Sequence, residues 1–154
     1  MAKEIERKFL IKTSEWPGCS RKTYFKQGYL SADPERVVRV RIAGEKAFIT
    51  IKGANSGIVR NEYEYEIPVD DAHQMLDSLC HKPLIEKIRY FYPQENLVWE
   101  IDEFLGDNKG LFIAEIELPS EDYAFFKPQW IGEEVTGDKR YYNSNLVKNP
   151  YNKW

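Results

Sequence analysis

The sequence has no excess of either charge. Its 154 residues carry 22 Lys and Arg against 25 Asp and Glu, a formal net charge of −3. A polybasic nucleic-acid binder draws its affinity from net positive charge, so that class is excluded. Cysteine is scarce: Cys19 and Cys80 form no C-x-x-C pair, which reads as two reduced thiols in a cytoplasmic protein rather than a disulfide framework. Histidine is equally scarce, and His73 and His81 lack the ligand spacing of a zinc module. No apolar run reaches the length of a membrane-spanning helix. The opening MAKEIERKFL carries Glu4 and Glu6 where a signal peptide needs an apolar stretch. Internal repeats, low-complexity tracts and linkers are missing too, so residues 1–154 read as a single domain.

What is present is a core-forming composition, 42% hydrophobic and 14% aromatic, together with 31% charged residues of both signs. Most segments alternate with period two, the signature of β-strands. Strands are expected near Glu4–Lys12, Lys22–Tyr29, Val37–Ile42, Ala47–Lys52, Arg60–Pro68, Leu84–Tyr92, Leu97–Phe104 and Leu111–Leu118. Turn chemistry such as Asp33-Pro34, Ala43-Gly44-Glu45 and Gly53–Gly57 separates them. Helical spacing appears at Asp70–Leu79, with Ala72, Met75, Leu76 and Leu79 on one side. Short helices are also expected at Ser120–Phe126 and Tyr142–Leu146. The class is mainly β (α+β), an antiparallel barrel or sandwich with a few helices packed outside.

Alternate strand residues share a face, and here the charges sort by type. Glu4, Glu6 and Lys8 share one face; Arg39 and Arg41 share another; Lys52 opposes Ile49 and Ile51. Arg60, Glu62, Glu64 and Glu66 oppose Tyr63, Tyr65 and Ile67. Lys87 and Arg89, Glu100 and Asp102, and Glu115 and Glu117 complete the series. Each charged face, taken singly, reads as the wet side of a sheet. Like charges along one strand repel, however, and a solubilising surface mixes its signs. A closed barrel with a charged interior accounts for both facts, acidic strands facing basic ones. Carboxylates suit Mg²⁺ or Mn²⁺, and Arg and Lys suit phosphate, so the pattern points to phosphoryl transfer.

These segments together resemble the CYTH superfamily, the triphosphate tunnel metalloenzymes. The matching elements are Glu4-Ile5-Glu6-Arg7-Lys8, Lys26-Gln27-Gly28-Tyr29-Leu30, Val38-Arg39-Val40-Arg41 and Thr50-Ile51-Lys52. They continue through Arg60–Glu66, Glu86-Lys87-Ile88-Arg89-Tyr90, Glu100-Ile101-Asp102 and Glu115-Ile116-Glu117, and end with Gly132–Tyr141. The resemblance implies a closed antiparallel eight-stranded β-barrel tunnel with a charged interior. It implies that Glu4, Glu6, Glu115 and Glu117 bind two Mg²⁺ or Mn²⁺ ions, with Asp102 and the Glu62/Glu64 pair as second choices. It implies that Arg39, Arg41, Lys52, Lys87, Arg89 and Lys139 hold a triphosphate, and that Lys8 and Tyr29 form a catalytic dyad organising the attacking water. A lysine in a cationic tunnel is expected to have a lowered pKa and to serve as base or water-positioner. Lys8 as a phosphate contact and Tyr29 as a packing aromatic are the alternative, and Arg60 is open between phosphate binding and pairing with Glu62.

Short bacterial members that hydrolyse inorganic triphosphate are the nearest likeness. The expected function is therefore metal-dependent hydrolysis of a small polyanion, inorganic triphosphate, to pyrophosphate and phosphate, with nucleoside triphosphates as further substrates. Three alternatives stand beside it. A class IV adenylate cyclase needs an adenine pocket that no motif supplies. A thiamine triphosphatase, like the cyclases, carries an early His-Phe element missing here. A non-catalytic polyphosphate-binding module gains nothing from the carboxylates. Neither nucleic acid nor membrane is an expected partner. The four tryptophans Trp16, Trp99, Trp130 and Trp154 are expected to pack, and the barrel's outer face leaves room for a homodimer contact that no residue decides.

Overall fold

A computed structural model describes residues 3–154. The elements are β1 (Lys3–Ile11), β2 (Lys22–Ser31), β3 (Arg36–Ala43), β4 (Lys46–Ser56), β5 (Val59–Ile67), α1 (Val69–Ser78), β6 (Ile85–Gln94), β7 (Leu97–Phe104), β8 (Phe112–Glu117), β9 (Ile131–Glu134) and α2 (Asn143–Lys148). The strands form one antiparallel sheet in the order β5-β4-β3-β2-β6-β7-β8-β1-β9, and β1 also pairs with β5. That extra pairing closes the first eight strands into a barrel.

Strand β1 does the closing. Lys3–Ile5 face Val59–Asn61 of β5, while Glu6–Leu10 face Ile113–Glu117 of β8. Farther along, where β5 has left this edge, β9 takes it over with Ile131 opposite Ile11. Gly132 permits the approach: a Cβ there would stand 3.1 Å from the Leu10 carbonyl oxygen. The β3–β4 and β4–β5 hairpins turn at Gly44 and Gly57, both at positive φ, where glycine carries no Cβ penalty.

Because side chains alternate, the barrel has two kinds of core. Outside, Val40, Ile42 and Ala47 pack under Ala72 and Leu76 of α1. This bears out helical spacing at 70–79 as a barrel-covering face. Leu76 is fully buried, worth about 1.5–3 kcal/mol relative to exposure. A second outer cluster joins Phe9, Trp99, Ile101, Ile116 and Trp130. Inside, one end of the barrel is filled by Tyr29, Val37, Ile85, Phe104 and Ile113, with Leu146 and Val147 of α2 against them. The charged side chains occupy the rest of the interior.

One expected element is corrected and one strand is added. The segment 120–126 is not a helix. Its one backbone bond of this kind is the turn from Tyr123 N–H to the Ser120 carbonyl, and the Ser120 hydroxyl bonds Asp122 locally. As a turn followed by irregular chain, the segment lays Phe125 against Phe9 and Trp99, at ring distances of 6.2 and 5.8 Å. Strand β9, four residues long, gave no alternation long enough to read. Trp99 and Trp130 are core residues as expected, whereas Trp154 is exposed at the C-terminal end. Among the described residues no helix is long and apolar enough to cross a membrane.

Candidate active site

The barrel interior encloses a cavity of about 330 Å³ whose wall is mostly polar, including Glu4, Glu6, Arg39, Arg41, Arg89 and Glu115. Strand pairing places the acids together. Glu6 lies opposite Glu117 and Lys8 opposite Glu115, because β1 and β8 are neighbours. Most of the basic residues come from β3 and β6, which flank β2 on either side, with Lys52 added by β4. The cavity therefore has an acidic wall and a basic wall.

On the basic wall most cations are matched. Asp102, fully buried, accepts from Arg89 Nε at 2.7 Å and Nη2 at 2.8 Å, and from Lys87 Nζ at 2.7 Å. Lys87 also donates to Asn143 Oδ1 at 2.9 Å. Burial nonetheless pushes Lys87 down to about 7, with Arg89 and Arg41 opposing the pull of Asp102. Arg39 approaches Glu64 at 3.5 Å, and Thr50 bridges the two. Lys52 sits between Glu4 at 3.1 Å and Glu62 at 3.4 Å. Arg41 differs. Its Nε donates to the neutral Gln27 Oε1 at 2.9 Å, and its guanidinium lies 4.7 Å from the Phe25 ring centroid. Burial, then Arg39 and Arg89, push Arg41 down to about 9, the mark of a buried cation short of a counter-charge.

On the acidic wall the carboxylates crowd. Burial, Glu115 and Glu4 raise Glu6 well above the usual carboxyl range, and Glu6 shares a hydrogen bond with Glu115. Burial alone would raise Glu115, but Lys8 and then Arg89 hold it well below that range. Glu4 and Glu62 form a similar pair. Burial and the Glu4 charge push Glu62 up to about 7; at Glu4 burial raises the pKa, but Lys52 and the hydrogen bond shared with Glu62 together bring it below the ordinary value. Each pair thus brings two carboxyl groups together, and a hard cation is a natural partner for such crowded oxygen donors. Glu117, raised by burial and then by Glu4 and Glu100, adds a fifth carboxylate to the wall. Among the described residues no three acidic, His or Cys side chains are already closed into a metal cage. The donor chemistry fits a divalent cation; side-chain closure would come with its binding.

A CYTH domain matches residues 2–148. The chain belongs to the CYTH family. An inorganic triphosphatase of Acetivibrio thermocellus is 54% identical, over 98% of this chain and 97% of its own length. An inorganic triphosphatase of Nitrosomonas europaea is 39% identical, over 94% of this chain and 96% of its own. A crystal structure of an inorganic triphosphatase superposes with a TM-score of 0.67 at 35% identity, covering 96% of this chain and 95% of the other. A putative adenylate cyclase from Bacillus halodurans, 17% identical with a TM-score of 0.61, covers 79% of this chain and 84% of its own and shares the fold.

Against this CYTH frame the residues expected from the sequence fall into three groups. Glu4, Glu6, Lys8, Tyr29, Arg39, Arg41, Lys52, Lys87, Arg89, Glu115 and Glu117 all line the one cavity. Asp102 lies behind the wall, spent on Lys87 and Arg89. Lys139 is exposed on the 3-10 turn Lys139–Tyr141, outside the cavity wall, because that turn carries Tyr141 into the core instead. Arg60 lines the cavity but gives its Nε to the Gly53 carbonyl at 2.6 Å rather than pairing with Glu62.

The expected depression of the Lys8 pKa is also corrected. Burial lowers it, but Glu115, Glu6 and Glu4 together raise it above the ordinary lysine value. Lys8 sits on the acidic wall, so it keeps its proton. Sequence reading passed over Gln27 as a site residue, and with it Thr50, Thr136, Tyr142 and Asn143. Thr50 shares a strand face with Lys52, and Gln27 shares one with Tyr29, a signal that was available. Asn143 reaches the site from α2 by tertiary packing alone.

Proposed function

We propose that this chain hydrolyses inorganic triphosphate to pyrophosphate and orthophosphate inside the barrel. The observation that carries the reading is a set of Arg and Lys side chains facing a set of carboxylates across one cavity. A polyanion answers the first set and a divalent cation the second. The two curated relatives and the solved triphosphatase support the same substrate class.

Glu4, Glu6, Glu115 and Glu117 would hold two Mg²⁺ or Mn²⁺ ions, which would supply Lewis-acid charge at the phosphate oxygens and acidify a bound water. Arg39, Arg41, Lys52, Lys87 and Arg89 bind the triphosphate and neutralise its equatorial oxygens. A water oxygen forms the new bond to a terminal phosphorus, and the bond from that phosphorus to its bridging oxygen breaks. Pyrophosphate leaves. The water's protons pass to the products and to neighbouring carboxylate. Lys8, opposite Glu115 on the acidic wall, donates to a phosphate oxygen or positions the attacking water. Tyr29, 4% exposed and bonded to Gln27, orients that water or a phosphate oxygen with its hydroxyl.

The test is one incubation series with tripolyphosphate, ATP and pyrophosphate, each with Mg²⁺ or Mn²⁺, following orthophosphate and cyclic AMP. The reading expects rapid orthophosphate release from tripolyphosphate with little cyclic AMP. Cyclic AMP from ATP as the main product would overturn it.

A further inference from the structure

Among the described residues, strand β2 is the one barrel strand whose inward face, Phe25, Gln27 and Tyr29, carries no charge; of these Tyr29 lines the cavity, and Phe25 and Gln27 are buried behind its wall. Yet Gln27 is completely buried, and both of its amide hydrogens and one lone pair of its oxygen are used. Its Oε1 accepts from Arg41 Nε at 2.9 Å. Its Nε2 donates to the Tyr29 hydroxyl and to Asn143 Oδ1, each at 3.1 Å. With both amide hydrogens committed, the amide cannot turn over, and its oxygen stays aimed at Arg41.

Two arginines lie on the two strands beside β2, and they are held in opposite ways. Asp102 grips Arg89 through Nε and Nη2 and cancels much of its charge. Gln27 grips Arg41 through Nε alone and cancels none. Phe25 lies under both guanidiniums, at 4.7 Å from Arg41 and 4.9 Å from Arg89, attracting each without adding negative charge. Among the described residues, Arg41 Nη1 and Nη2 make no protein hydrogen bond. Those donors form the fork that recognises phosphate oxygens in pairs.

We propose that Gln27 is a positioning residue: it aims the Arg41 fork into the cavity while leaving its charge whole, and so sets the affinity for triphosphate. The assignment rests on the triphosphatase reading above. It makes the amide essential in kind. A carboxylate of the same shape would convert Arg41 into a second structural ion pair, like Arg89. An apolar side chain of similar length would leave the guanidinium free to swing toward Glu64 or Glu100.

The test is a double-mutant cycle of Gln27→Met and Arg41→Gln, with steady-state kinetics on tripolyphosphate. Gln27→Met should raise KM by about tenfold with kcat changed by less than about threefold, as expected for lost binding that is uniform between ground and transition states. In the Arg41→Gln background the same change should move KM by less than about twofold, because its target is gone. An unchanged KM in Gln27→Met, or an equal rise in both backgrounds, overturns the proposal. Gln27→Glu, isosteric, gives an independent arm. Its KM should rise by about tenfold or more, and a KM within about twofold of wild type also overturns the proposal. A wild-type protein inert toward tripolyphosphate defeats the functional reading as well, whereas active wild type with an indifferent Gln27→Met defeats this inference alone.

Discussion

Asp102→Asn is the most informative single change to the architecture of the site. The wild-type carboxylate is inaccessible to solvent and takes three short bonds from two buried cations, at 2.7, 2.8 and 2.7 Å. Asparagine keeps the shape but removes the charge. It strands Lys87 and Arg89 beside Arg41 in a barrel where Lys87 is already pushed down to about 7. Removing one partner from a buried ion pair costs about 3–5 kcal/mol. For a domain of this size, about 2–4 °C of melting temperature follows each kcal/mol, so the expected loss is roughly 6–20 °C. Thermal unfolding in chelator-containing buffer measures it, which separates the counter-ion role from metal binding. Tripolyphosphate brings negative charge to the same cations, so its addition should stabilise the variant more than the wild type. A loss below about 1 kcal/mol, the range of an exposed pair, would refute the reasoning. So would equal stabilisation of both proteins by tripolyphosphate.

Three further outcomes follow from the same structure. Glu6→Gln and Glu115→Gln each remove a carboxylate from the acidic wall, and each should weaken Mn²⁺ binding by calorimetry and lower turnover by about 10²-fold or more. Glu134 is held below the usual carboxylate range first by its hydrogen bonds from Arg7, at 2.8 and 2.6 Å, which tie β9 to β1. Its folded pKa is lower than its unfolded one, so it adds stability above the ordinary carboxyl range and loses it as pH falls through the folded value. Glu134→Gln should therefore cost up to about 1 kcal/mol at pH 7, and chemical denaturation should show wild type and variant converging in acid. Gly28→Ala should destabilise by about 1–3 kcal/mol in urea unfolding, since the added Cβ would stand 2.7 Å from Leu84 and 2.9 Å from Cys80.

The strand faces were legible because charge alternates with apolar residues at period two. Glu4, Glu6 and Lys8 share the cavity with Glu115 and Arg89, as the parity of each strand requires. Parity does not tell which strands are neighbours. That ignorance accounts for Lys8: a generally cationic tunnel lowers its pKa, but pairing with β8 puts Glu115 opposite it and raises it. Asp102 shows the same gap, since only the β6–β7 register, Arg89 opposite Asp102, reveals that its oxygens are spent. Lys139 lies beyond the strands, where period two carries no information. Neutral groups such as Gln27 and Asn143 leave no charge pattern at all. The segment 120–126 failed for another reason: its aromatic contacts with Phe9 and Trp99 outweigh a weak local preference for helix.

The central claim is that the two walls of this cavity act together on inorganic triphosphate. A ³¹P NMR time course of tripolyphosphate with Mg²⁺, run on wild type and on Glu115→Gln, tests it directly. The account predicts matched growth of orthophosphate and pyrophosphate signals with wild type, and near-complete loss of both with the variant. Persistent tripolyphosphate with wild type, or an undiminished rate in Glu115→Gln, would contradict it.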